Sequence, residues 1–112
     1  MNNSEKRKHP RIRVKWPVTV LTDNAIIQAE TRNITVNGIF ISSNELLRLN
    51  KSFPLRIKPP NREPMKVSGK VVCSDHHAVD DQTASYGMGI CFIKVFDKDR
   101  HFLEDLISGH PH

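Results

Sequence analysis

The sequence predicts a mainly-β domain: a small six-stranded antiparallel β-barrel with a C-terminal α-helix and a flexible basic N-terminal arm. Three observations predict it. Apolar residues recur at every second position in six short stretches separated by turn formers. Near the C-terminus the apolar spacing changes to that of a helix. The chain has 112 residues, which is enough for one core and one domain.

Residues 1–13 read as the arm, 14–109 as barrel plus helix, and 110–112 as a tail. The first nine residues are polar and charged, and Pro10 keeps His9 out of helical geometry. From Val14 the pattern alternates: Val14, Trp16, Val18 and Val20 face one way, Lys15, Pro17 and Thr19 the other. Pro17 marks an edge or a bulge. Asp23-Asn24 supplies a turn, and residues 25–32 form a second strand with Ile27, Ala29 and Thr31 on one face. Residues 33–38 break the pattern, and Ile39-Phe40-Ile41 resumes it as a third strand.

A connection follows, with room for one helical turn over residues 45–49. Phe53, Leu55 and Ile57 carry the fourth strand, and Pro59-Pro60-Asn61-Arg62 turns the chain. Met65, Val67, Gly69, Val71 and Cys73 alternate along the fifth. Residues 75–85 read as a polar loop, and Tyr86, Met88, Ile90 and Phe92 alternate with Gly87, Gly89 and Cys91 in the sixth. Asp97 is the expected N-cap of the helix and Asp99 complements its dipole. Phe102, Leu103, Leu106 and Ile107 form its apolar stripe, and Gly109 is the expected stop. The stripe either covers an open end of the barrel, which is the favoured reading, or presents a partner surface.

Composition excludes several functions. With 38% hydrophobic and 26% charged residues the chain is not disordered throughout. No apolar run approaches the ~20 residues of a membrane span, and the start lacks a signal-peptide stretch, so the expected location is the cytoplasm. Cys73 and Cys91 are too few for a disulfide scaffold and read as reduced residues pointing inward from neighbouring strands. A zinc site built from Cys73, Asp75, His76, His77 and Cys91 matches no established spacing. Asp80-Asp81 reads as a solvated turn, and no nucleophile elbow, phosphate loop or metalloprotease helix is present. The chain is therefore expected to be neither an enzyme nor a cofactor or metal protein.

The charge is concentrated at one end. Residues 1–15 hold Lys6, Arg7, Lys8, Arg11, Arg13 and Lys15 against Glu5 alone, while residues 16–112 carry 11 basic and 11 acidic residues. The whole net charge of +5 lies in residues 1–15. Taken alone, such an arm reads as a solvated tail. Arg7 and Arg11 are four residues apart in a segment that Pro10 keeps non-helical, so their Cα atoms are up to ~14 Å apart when extended and closer in a turn. A guanidinium fork suits phosphate oxygens and the O6/N7 edge of guanine. Asn33 and Thr35 share a face in an extended backbone, and Gly38 permits positive φ or close backbone approach. On its own this segment is an ordinary turn.

Together, Arg7-x-x-x-Arg11, Asn33-x-Thr35-x-x-Gly38 and the strand Tyr86-Gly87-Met88-Gly89-Ile90-Cys91-Phe92 resemble the PilZ domain family of bacterial cyclic di-GMP receptors. The resemblance runs from about Lys6 to Ile107. It implies a split barrel whose arginine arm folds over cyclic di-GMP on the outer wall. It assigns Arg7 and Arg11 as clamp residues, Asn33 to a guanine edge, the Thr35 hydroxyl to the ligand and Gly38 to the turn. Lys6 matches a position that influences how many nucleotides bind. Two positions depart: Thr35 stands for the usual Ser, and Cys73 where many relatives carry an aromatic residue.

The expected function is a second-messenger receptor whose ordered arm signals to a protein partner. The alternatives are an adaptor of the same type that binds no nucleotide, and a small nucleic-acid-binding barrel. Against the last, aromatics are 6% of the chain, and Phe40, Phe53 and Phe92 read as core residues, leaving little to stack bases on.

Overall fold

A computed structural model describes residues 11–78 and 84–108, with side chains described except at 76–78 and 84. The arm residues Lys6 and Arg7, the Asp80-Asp81 pair, Gly109 and the tail lie outside the described residues. Six strands, β1 (Pro17–Leu21), β2 (Ile26–Ile34), β3 (Gly38–Ser43), β4 (Ser52–Ile57), β5 (Met65–Ala78) and β6 (Ala84–Val95), precede helix α1 (Asp97–Ser108). They close into an antiparallel barrel in the order β1-β2-β3-β6-β5-β4.

Period-two alternation builds the core. Val18, Val20, Ile39, Ile41, Leu55, Ile57, Met65, Val71, Met88 and Ile90 are buried inside the barrel. Each end receives a plug from outside the strands. At one end α1 buries Leu103 completely and sets Phe102 against Trp16, ring centroids 6.3 Å apart. Arg62, in the turn between β4 and β5, stacks 4.1 Å from the Phe102 ring and pairs with the buried Asp99 carboxylate at 3.3 Å. At the other end the connection between β3 and β4 buries Leu47, whose N–H points at Met88 Sδ, 3.4 Å away. That connection contains no helical turn at 45–49; it is held instead by Asn50 N–H on the Val71 carbonyl and Val71 N–H on the Lys51 carbonyl.

Several boundaries differ from the sequence reading, each for a local reason. β1 starts at Pro17 rather than Val14, and in a closed barrel it has neighbours on both sides. Pro17 is tolerated because it opens the strand, where only its carbonyl is needed, accepting from Lys58 N–H at 3.0 Å. β2 continues through Asn33 and Ile34 because a bulge places Arg32 as an extra residue between the Thr31–Ile41 and Asn33–Phe40 pairs. β5 and β6 extend into the segment expected to be a loop, pairing His76 with Tyr86 and His77 with Ser85. The helix takes its first hydrogen bonds on the Phe96 carbonyl, from Asp99 and Arg100 N–H, so Phe96 occupies the cap position and Asp97 the first turn.

The two cysteines are exposed, not inward. Val72 is an extra residue in β5 between the Val71–Ile90 and Cys73–Gly89 pairs, and this bulge turns Cys73 outward. Cys91 pairs with Lys70, so the two thiols are not opposite each other. Phe40 is also not a core residue. Its neighbours Ile39 and Ile41 point inward, and its ring lies half-exposed on the outer wall.

Candidate functional site

The segment that follows the arm is tied to the barrel by its backbone. Ile12 and Ile34 exchange both hydrogen bonds, at 3.0 and 2.9 Å, as an antiparallel pair. Three residues before Ile34 on β2, Thr31 repeats the attachment with its side chain. Its hydroxyl donates to the Val14 carbonyl at 2.6 Å and accepts from Trp16 N–H at 2.8 Å. Its own N–H donates to the Trp16 carbonyl at 2.9 Å. Thr31 is 1% exposed, so this clasp is shielded from competing water. Ile12, Val14 and Trp16 pack on the core, and Arg11, Arg13 and Lys15 are exposed.

Beyond Ile34 the chain makes a tight turn into β3. Thr35 N–H donates to the Gly38 carbonyl at 2.9 Å, and Thr35 Oγ1 accepts from Asn37 N–H at 3.0 Å and Gly38 N–H at 3.1 Å. The hydroxyl expected at the ligand is therefore bound into the turn it organises. Gly38 does not take a positive φ; the reason for glycine is close approach. A Cβ there would overlap the Ile90 carbonyl oxygen on β6. Asn37 carbonyl accepts from Phe92 N–H at 2.8 Å, fixing the turn to the same strand.

The clasped segment and the bulged part of β2 border a groove of about 970 Å³ on the outer wall, large enough for a nucleotide-sized ligand. Arg13, Lys15 and Arg32 contribute cations to it, Glu30 and Asp75 carboxylates. Asn33, Phe40 and Ser42 line its floor. Strand register sets the order of that floor: Asn33 is opposite Phe40, Phe40 opposite Gly89, and Gly89 opposite Cys73. The Arg32 bulge makes this arrangement possible. Without the extra residue, Asn33 would fall on the inward face next after Thr31; with it, Ile34 enters the core and Asn33 turns outward.

Of the expected site residues, Asn33 lines the groove, while Thr35 and Gly38 form the turn at the end of β2. Arg11 is exposed next to Ile12, on the Thr35 side of the Ile12–Ile34 pair, and Arg13 on the Asn33 side. Lys6 and Arg7 lie outside the described residues. Sequence reasoning missed Arg13, Arg32 and Phe40 as groove residues. Arg13 was visible as part of the basic run, but the outward position of Arg32 and Phe40 depends on the register of β2 against β3.

Comparison with known proteins bears on the fold and the family. The PilZ domain profile matches residues 5–109. No curated protein sequence matches the chain significantly. The c-di-GMP-bound PilZ domain of YcgR from Escherichia coli superposes with a TM-score of 0.75 at 12% identity, covering 93% of this chain and 90% of that one. The K. pneumonia MrkH–c-di-GMP complex gives 0.76 at 13% identity, over 89% of this chain and 50% of MrkH. The Bacillus subtilis inhibitor of motility MotI/DgrA gives 0.72 at 17% identity, over 87% and 47%. The chain thus spans about half the length of the latter two, and at these identities the likeness is one of fold. With the profile covering nearly the whole barrel and helix, the chain belongs to the PilZ domain family of non-enzymatic cyclic di-GMP receptors.

Proposed function

We propose that this protein binds cyclic di-GMP in the outer-wall groove and closes its basic arm over it. Arg7 and Arg11 clamp the guanine and phosphate groups, with Lys6 adding charge at the arm's outer end. Asn33 meets a guanine edge, Thr35 and Gly38 hold the turn in shape, and Arg13 and Arg32 add cations along the groove. One observation carries the reading: the Ile12–Ile34 pair sets Arg11, the end of the arginine motif, beside the Thr35–Gly38 turn, and the residues that follow it border a groove with three cationic side chains. The ligand's two phosphodiesters bring two negative charges to that edge.

Binding requires several charge-assisted contacts at once. Ordering the arm costs about 1–2 kcal/mol per backbone residue, and each charge-assisted hydrogen bond returns about 1.5–3 kcal/mol. Micromolar binding needs a net of about 8 kcal/mol. The ordered arm then presents a new surface to a downstream protein in the cytoplasm.

Titration calorimetry with cyclic di-GMP tests the reading. The expected result is saturable binding that weakens as salt rises. Absence of heat at high micromolar nucleotide overturns it.

A further inference from the structure

We propose that Phe40 is the surface on which a guanine base of the bound dinucleotide stacks, an inference that rests on the cyclic di-GMP reading above. Four observations lead to it. Phe40 projects outward between two buried isoleucines, so its ring is not part of the barrel core. It lines the groove, and it is the one aromatic residue among the described residues that does so. Trp16 is buried against Phe102, and Phe53, Tyr86 and Phe92 pack on the core.

The ring is also supported from behind. It lies across two glycines of β6, in contact range of the place where a Cβ on Gly87 or Gly89 would stand: 3.0 Å from Cε2 and Cζ at Gly87, 3.6 Å from Cδ1 at Gly89. Bare backbone at both positions lets the ring settle against the strand. A ring held in this way loses little freedom when a base lands on its other face. Cys73, which shares the Gly89 shelf, offers no ring of its own.

Finally, the neighbours of Phe40 suit the edges of a base rather than its face. Asn33, directly opposite in β2, carries an amide, and Arg13 and Arg32 bring guanidinium forks to the same groove. Stacking is blind to base identity, so Phe40 supplies affinity while these groups supply the preference for guanine.

The test compares the full-length protein with Phe40→Leu, which still covers the glycines, and Phe40→Trp, which keeps a stacking face. Calorimetry with cyclic di-GMP should show Phe40→Leu weakened about tenfold or more at unchanged melting temperature, and Phe40→Trp close to wild type. Gly87→Ala, whose methyl would press on the ring, should weaken binding in the same sense. NMR of the wild-type complex should show cross-relaxation between guanine H8 and the Phe40 ring protons; this reading stands even if a variant fails to fold. Wild-type binding with an unaffected Phe40→Leu, or a complex lacking those cross-peaks, overturns the stacking role and leaves the receptor reading intact. No binding by the wild-type protein overturns both.

Discussion

The two segments that flank the barrel are fastened to it by opposite means. Residues 12–16 are held by main-chain hydrogen bonds to Ile34 and by the Thr31 hydroxyl. Helix α1 is held by buried side chains, Leu103 in the core and Asp99 on Arg62. A backbone tether leaves alternate side chains free, and here these are Arg11, Arg13 and Lys15. A side-chain tether consumes the residues that make it. The first kind of attachment leaves a cationic edge facing outward; the second seals an end. Trp16 joins the two, since its N–H is held by Thr31 and its ring lies against Phe102.

The comparison predicts that damage to the helix lowers stability without altering ligand affinity. Leu103→Ala removes a side chain with no exposed surface and should cost about 2–5 kcal/mol. Urea unfolding should record that loss, and calorimetry on the folded fraction should give a wild-type dissociation constant for cyclic di-GMP. An equal fall in affinity would mean that helix and groove are coupled.

Thr31→Val is the next largest, and it should affect both properties. The methyl keeps the volume but leaves the Trp16 N–H and Val14 carbonyl without the hydroxyl they share, for about 1–3 kcal/mol. Amide exchange at Trp16 should accelerate more than exchange at Ile41 in the β3 wall. Ligand affinity should fall as well, because the clasp orients Arg11 and Arg13.

These expectations show which parts of the molecule could be read from the chain. Alternation at Leu55 and Ile57 and at Met88 and Ile90 was legible because each apolar residue is bracketed by polar or small ones. Bulges were not legible. Arg32 and Val72 are each one extra residue, and an added residue reverses every face beyond it without leaving a mark in composition. Cys73 was therefore assigned to the wrong side. Phe40 failed for a different reason: in Ile39-Phe40-Ile41 all three residues are apolar, so hydropathy cannot say which one faces out. The ends of β5 and β6 were hidden because residues 74–78 pair with β6 alone and include no alternating apolar positions.

Arg11→Ala sharpens the contrast from the other side. The side chain is exposed, so thermal unfolding should be nearly unchanged, while the loss of one charge-assisted contact should weaken cyclic di-GMP by about 1.5–3 kcal/mol. Lys98→Ala, an exposed cation on α1 with no place in the groove, is the control and should bind like wild type.

Arg62→Lys is the smallest effect and the most discriminating about how the helix is held. Lysine keeps the positive charge near Asp99 but loses the flat guanidinium stacked 4.1 Å from Phe102. If stacking and ion pairing both hold the helix, stability should fall by about 0.5–1 kcal/mol. If the charge on Asp99 alone matters, lysine should be neutral and Arg62→Met, which leaves a buried carboxylate unpaired, should be much worse. Asp99 is 2% exposed, so a carboxylate there without a cation has no water to turn to. The pair and the stack thus act through one guanidinium, and measuring the two variants side by side separates the contribution of its plane from that of its charge.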